Sequence, residues 1–360
     1  MRLVTDSIAQ LKPYEPGKPL EELERELGIT SAVKLASNEN PLGPSPRVVE
    51  AAQGALSALH RYPDAAQHLL RHRLADFLSV APEEIALGAG SNELLDLLVR
   101  TFCTQQHHVV FADPSFVVYR MACLAHGVAH TAVPLTHDLR HDLPAMRAAG
   151  RSETRLIFIA NPNNPTGSYV SLAELTKFLE QVPRDLIVAL DEAYIEYATA
   201  SDFPNGLRLR ALHPNLVCLR TFSKAYGLAA LRLGYAIAPR ELVHYLDCVR
   251  APFNVNTLAQ AAGIAALDDQ AHVQRVVELN SAERERLTQA LIQRKIQVWP
   301  SQANFLLIDL ARPAQPIYQA LLNQGVIVRP MPSLPTSLRV TIGVPEENQR
   351  FLAALDQVLQ

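Results

Sequence analysis

The stretch Asn215-Leu216-Val217-Cys218-Leu219-Arg220-Thr221-Phe222-Ser223-Lys224-Ala225-Tyr226-Gly227-Leu228-Ala229-Ala230-Leu231-Arg232-Leu233-Gly234-Tyr235-Ala236-Ile237-Ala238 sets two short apolar runs on either side of a lysine. Residues 215–220 and 233–238 read as buried strands, because they are short, continuous in apolar residues and bounded by turn formers. Lys224 falls just past the first strand end, between Thr221 and Ser223 on one side and Arg232 on the other. An amine with apolar or cationic neighbours loses its proton more easily, and the free amine can form a Schiff base with a carbonyl. Two hydroxyls and a guanidinium beside it suit a phosphate.

The neighbouring segments repeat the pattern. His108-Val109-Val110-Phe111 reads as a strand ending at Asp113-Pro114, Arg155 to Ala160 as one ending at Asn161, and Leu186 to Asp191 as a third. Helices are expected over Phe116–Ala125 and Ser171–Gln181. Near-continuous apolar strands separated by helices predict a mostly parallel sheet covered on both faces. Ligands of such sheets sit at the carboxyl ends of the strands. Ser91, Asn92, Phe116, Asn164, Asp191, Tyr194 and Lys224 all follow expected strand ends, so one pocket can gather them. Ile85-Ala86-Leu87-Gly88-Ala89-Gly90-Ser91-Asn92 feeds a strand through glycines into a helix, which aims backbone N–H groups at an anion. It is not the dinucleotide fingerprint, since Glu93 stands where the third glycine belongs.

Outside this block, leucines at 20, 23 and 27 predict a short amphipathic helix, and Ser37 to Pro46 is too rich in turn formers to be a regular element. A helix is expected from Pro46 to about Leu59, and another from His68 to Phe77. After Pro252 two long helices, 256–267 and 271–294, lead into strands at 297–299, 304–309, 326–330 and 338–342 and a last helix from Glu346. The expected architecture is α/β: an N-terminal segment (1–35), a large domain with the mostly parallel sheet between helices (36–252), and a smaller C-terminal α+β domain (253–360).

Composition narrows the partners. A net charge of −3 gives no electrostatic reason to expect nucleic acid or an anionic membrane. Residues 1–20 hold charges and prolines with no continuous apolar core, which predicts neither a secretory signal nor a membrane span, and so a cytoplasmic protein. Cys103, Cys123, Cys218 and Cys248 lack metal or redox spacing, and His68/His72, His126/His130 and His137/His141 lack a third ligand, so no metal is expected.

Asn164-Pro165-Thr166-Gly167, Asp191-Glu192-Ala193-Tyr194 and Ser223-Lys224 with Arg232, in this order, resemble the signature of the fold-type I pyridoxal-phosphate aminotransferases; the lysine follows the aspartate by 224 − 191 = 33 residues, a spacing such enzymes share. Within that family Leu11-Lys12-Pro13-Tyr14-Glu15-Pro16-Gly17, Ser37-Asn38-Glu39-Asn40-Pro41-Leu42-Gly43-Pro44-Ser45, Arg61-Tyr62-Pro63-Asp64, Val328-Arg329-Pro330 and Leu338-Arg339-Val340-Thr341 are similar to the histidinol-phosphate branch.

The resemblance implies pyridoxal 5'-phosphate as cofactor and three catalytic residues. Lys224 would hold the cofactor and move a proton, Asp191 would pair with its ring nitrogen, and Tyr194 would bond its phenolic oxygen together with Asn164. Phe116 would lie on the ring face. Ser91, Asn92, Thr221, Ser223 and Arg232 would hold the phosphate, joined by Tyr62 from the second subunit of a homodimer. Tyr14, Asn164, Arg329 and Arg339 would bind substrates, a phosphorylated amino alcohol and a 2-oxo acid in turn. The implied reaction is transamination between L-histidinol phosphate and 2-oxoglutarate in histidine biosynthesis. An aromatic amino acid aminotransferase and a threonine-phosphate decarboxylase-like lyase carry the same motifs.

Overall fold

The apolar runs become strands in a computed structural model, which describes residues 3–13, 17–29 and 31–360. In chain order they are β1 (Val33–Lys34), β2 (Ile85–Gly88), β3 (His108–Asp113), β4 (Ala129–Pro134), β5 (Thr154–Ala160), β6 (Ile187–Asp191), β7 (Leu216–Thr221) and β8 (Gly234–Ile237). Five more follow: β9 (Gln297–Trp299), β10 (Phe305–Asp309), β11 (Val326–Ile327), β12 (Arg329–Pro330) and β13 (Ser337–Thr341).

Seven strands form one sheet in the order β2-β8-β7-β6-β5-β3-β4. All are parallel except β8, which is antiparallel to both β2 and β7. Along β6 the side chains alternate between two cores. Ile187 and Ala189 pack with helices Ser91–Phe102 and Val118–His126 on one face, Val188 and Leu190 with helices Leu172–Gln181 and Thr257–Leu267 on the other. Two buried faces are why these strands read as unbroken apolar runs rather than alternating ones.

The reversal of β8 was not legible in its sequence, and it matters for the site. Gly234 opens β8 opposite Gly88 at the end of β2 and Thr221 at the end of β7. A residue just before β8 therefore arrives at the edge where its neighbours end, and Arg232 is such a residue. The approach is close. A Cβ on Gly234 would lie 2.4 Å from the backbone nitrogen of Ser91, so only glycine lets the helix Ser91–Phe102 start flush against the sheet.

The remaining strands form a four-stranded antiparallel sheet, β12-β13-β10-β9, and the parallel pair β1-β11. The single strand expected over 326–330 is thus two: β11 pairs with β1 and β12 with β13, on either side of buried Val328. Helix Gln270–Gln293 spans both cores, with Val273 and Val276 in the larger and Leu287 and Leu291 in the smaller. The helix expected to reach Leu59 ends at Ala55 and tightens to a 3₁₀ turn over Leu56–Ala58, and that expected from Phe116 starts at Val118.

One buried ion pair ties β7 to the loop after β6. Arg220 Nε donates to Glu192 Oε2 at 2.8 Å and Arg220 Nη2 to Asn205 Oδ1 at 3.1 Å, while the Gly206 N–H donates to Glu192 Oε1 at 2.7 Å. Removing one partner strands a charge out of water, at a cost of about 3–5 kcal/mol. Glu192→Ala should therefore lower the urea midpoint strongly, whereas Glu192→Leu with Arg220→Met, losing both charges together, should lower it less; equal losses would show that the charge is not the cause.

Candidate active site

A cavity of about 200 Å³ opens at the carboxyl edge of the large sheet. Ser91, Asn92, Thr221, Ser223 and Arg232 line one end, Phe116, Asn164, Asp191, Tyr194 and Lys224 its middle, and Arg329 and Arg339 the other end.

At the first end, Gly90 stands before helix Ser91–Phe102 with φ +81° and caps it with no side chain. A Cβ there would meet Arg232 Nη2 at 2.5 Å. Arg232, itself in the left-handed region at φ 56°, is braced by Nη1 donating to the Ala229 carbonyl at 3.0 Å, with Ser223 Oγ 3.5 Å away. Helix N–H groups, a guanidinium and a hydroxyl thus converge on one spot, a ready seat for a phosphate. Glu93, where a third glycine would stand in a dinucleotide site, braces the turn by accepting from the Ala89 N–H at 2.5 Å and Asn254 Nδ2 at 2.7 Å.

In the middle, Asp191 is 4% exposed. Its Oδ2 accepts from Tyr119 Oη at 2.8 Å and its Oδ1 from the Ala193 N–H at 3.2 Å. Burial pushes the carboxyl up to about 6 against the pull of both bonds, so a positive group brought to it would be welcomed. Lys224 Nζ donates to the Ser37 carbonyl at 3.1 Å and sits 5.8 Å from the Tyr194 ring centre. Removal from water, then repulsion from Arg339 and Arg232, brings its amine down to about 8, with Glu39 opposing. Tyr194 Oη accepts from Asn38 Nδ2 at 2.9 Å.

At the far end, Arg329 and Arg339 stand directly opposite each other across β12 and β13. Like charges in that relation repel and favour an anion between them. Arg339 Nη1 donates to Asn164 Oδ1 and Nη2 to the Ala36 carbonyl, both at 2.6 Å, and its guanidinium lies 5.3 Å from the Phe305 ring centre. A second cavity of about 580 Å³ adjoins, sharing Phe116, Asn164, Arg329 and Arg339 and adding Lys12, Arg120, Met121 and Met331.

Residues 30–355 match the family described as aminotransferase class I and II. The chain belongs to that family. Over the full length of both chains it is 49% identical to the histidinol-phosphate aminotransferase of Anaeromyxobacter sp. (strain Fw109-5). It is 48% identical to histidinol-phosphate aminotransferase 2 of Pseudomonas aeruginosa, covering 100% of this chain and 98% of that one. The crystal structure of histidinol-phosphate aminotransferase from Sinorhizobium meliloti, solved in complex with pyridoxal-5'-phosphate, superposes with a TM-score of 0.90 at 30% identity, covering 100% of this chain and 98% of that chain.

In this class I and II aminotransferase fold, twelve of the residues singled out from the sequence line one cavity. Tyr62 does not join them: it stacks on Phe253 at 4.6 Å between ring centres and is 81% exposed. Tyr14 lies outside the described residues. Sequence reasoning missed Tyr119, Asn38 and the carbonyls of Ala36 and Ser37. Asn38 and Ser37 lie in a stretch matched to the family with no role attached, and Tyr119 follows Phe116 by three residues; both features are visible, but their partners are distant in sequence. Among the described residues no group of three or more His, Cys, Asp or Glu is placed to hold a metal.

Because Arg339 is the largest like-charge contribution to the lowered Lys224 amine, Arg339→Gln should raise its pKa from about 8. The rate of Lys224 modification in the apoprotein, followed against pH by peptide mass spectrometry, should shift to higher pH, with half-modification about one unit up. An unshifted profile would remove Arg339 from the cause.

Proposed function

We propose that this chain is a pyridoxal-phosphate-dependent aminotransferase that transfers the amino group of L-histidinol phosphate to 2-oxoglutarate, giving imidazole-acetol phosphate and glutamate in histidine biosynthesis. The observation that carries it is one cavity with a phosphate seat at one end, a lowered lysine amine and a buried aspartate in the middle, and two opposed arginines at the other end. The full-length likeness to histidinol-phosphate aminotransferases supports the substrate.

The residues fit the cofactor on observations of their own. Asp191 is held up near 6 with only a phenol and an N–H as hydrogen-bond partners, an environment suited to a ring nitrogen carrying a proton. Gly90 lets the Arg232 guanidinium come close to the start of helix Ser91–Phe102, where a Cβ would lie 2.5 Å from Arg232 Nη2 and push it away. When bound, pyridoxal phosphate supplies a carbonyl for the amine and a ring that takes up electrons from the substrate carbon.

The protein supplies the rest. Arg232, Ser223, Thr221 and the first N–H groups of helix Ser91–Phe102 would hold the phosphate. Asp191 holds the proton on the ring nitrogen, and Tyr119 and the Ala193 N–H keep the carboxylate aimed. Tyr194 and Asn164 would bond the cofactor's phenolic oxygen, and Phe116 would pack on its ring. Lys224 Nζ, with an amine near 8, would move the proton between the substrate Cα and the cofactor C4'. Arg329 and Arg339 hold the anion of each substrate in turn, a phosphate in one half-reaction and a carboxylate in the other.

In this reading residues 36–252 carry the cofactor, 253–360 supply the arginines, and 1–35 is an N-terminal segment near the small domain and the active site, whose Tyr14 would bind substrate. The protein works as a homodimer in the cytoplasm, with Tyr62 reaching the partner's phosphate. The exposed Leu56, Leu59, Tyr62 and Phe253 support such a face, and among the described residues no helix is long and apolar enough to cross a membrane.

Purified protein mixed with histidinol phosphate and 2-oxoglutarate should form glutamate. No glutamate, with turnover of phenylalanine instead, overturns the substrate. Lys224→Ala should lose the borohydride-reducible link to the cofactor and at least about 10²–10⁴-fold in turnover; full turnover by that variant overturns the mechanism.

A further inference from the structure

Asn38 is 1% exposed and holds a left-handed backbone, φ 54°, that asparagine tolerates better than most residues. Each of its polar groups is used. Its N–H donates to Thr341 Oγ1 at 3.0 Å, and its carbonyl accepts from Asn304 Nδ2 at 3.1 Å. Thr341 Oγ1, having accepted that N–H, donates its own proton to Asn38 Oδ1 at 3.1 Å. This sets the direction of the amide: with Oδ1 turned to Thr341, Nδ2 faces Tyr194 Oη at 2.9 Å and donates to it. An N–H that donates to the phenol oxygen from this side turns the phenol's own O–H away from the amide.

We propose that Asn38 is a positioning residue that turns the Tyr194 hydroxyl, so that the phenol's proton is donated to the ring oxygen of the bound cofactor. The proposal rests on the reading of the site as a pyridoxal-phosphate site. Thr341 acts one step further out by fixing the amide. The segment that carries Asn38 also supplies the Ser37 carbonyl to Lys224 and the Ala36 carbonyl to Arg339, so three successive residues each address one group of the site.

Among the described residues, titratable groups near Tyr194 include Lys224, 5.8 Å from its ring centre, Asp191 and Arg339 in the same cavity, and Tyr119 and Tyr197, which interact with it electrostatically. Asn38→Gly alters none of them, adds no charge and keeps a residue that adopts positive φ without strain. A hydrogen bond donated to the charged form of a group lowers its pKa. Losing the directed Tyr194 proton should thus raise the pH midpoint of the bound cofactor's absorbance change.

The experiment reconstitutes each variant with pyridoxal phosphate and measures that midpoint and the cofactor dissociation constant. Asn38→Gly should move the midpoint up by about one unit, in the direction of Tyr194→Phe. In the Tyr194→Phe background, Asn38→Gly should add less than about 0.3 unit, because the two act through one bond. Thr341→Val should shift it the same way and Thr341→Ser should restore it, an independent route if Asn38→Gly folds poorly. A midpoint unmoved by Asn38→Gly, or a shift that persists in full without the Tyr194 hydroxyl, overturns the proposal. If Tyr194→Phe itself leaves the midpoint at the wild-type value, the assigned role of Tyr194 in the site falls, and the proposal with it.

Discussion

An amine taken out of water beside two guanidiniums is the constraint around which the site is built. Lys224 donates a hydrogen bond to the Ser37 carbonyl, Arg232 to the Ala229 carbonyl, and Arg339 to the Ala36 carbonyl and Asn164 Oδ1, all neutral acceptors. A carboxylate in any of those places would stabilise the charged amine and raise its pKa. Carbonyls orient the cations and leave their field in place, so the amine stays near 8 and anionic ligands meet a positive cavity. Asp191 is the complement: a carboxylate buried with a phenol and an N–H, an environment that favours a positive group beside it.

These groups can be neighbours because of the sheet. Parallel strands deliver residues from distant parts of the chain to one edge, as Ser91, Phe116, Asn164, Asp191 and Lys224 show. Arg232 is the exception, since it precedes its strand; only the reversed direction of β8 brings it to the same edge. The close contacts of Gly234 with Ser91 and of Gly90 with Arg232 then bring the start of the helix, the start of the strand and the guanidinium together, beside the apolar packing of the helix on the sheet.

Much of this was legible because burial on both faces writes itself into sequence as unbroken apolar runs, and the ligand-binding residues follow those runs directly. The strand 186–191 with Asp191 at its end could be read outright. The direction of β8 could not, since antiparallel and parallel strands buried on both sides look alike. Nor could the division of 326–330, where each half finds a different partner and only pairing distinguishes them. Asn38 and Tyr119 were opaque for the same reason: what they do is set by Thr341, Tyr194 and Asp191, which lie far away in the chain. Residue type announces chemistry when the side chain itself reacts or carries charge, and announces little when it only orients another.

β13 shows how the smaller sheet takes part. Arg339 and Thr341 are two residues apart on one strand and so project from the same face. Arg339 lines the cavity, while Thr341 bonds Asn38, which meets Tyr194. The segment Ala36–Asn38 is bonded to Arg339 and Thr341 of the smaller sheet on one side and to Lys224 and Tyr194, which follow strands of the larger sheet, on the other, so the two sheets meet at the cavity through one short stretch of backbone.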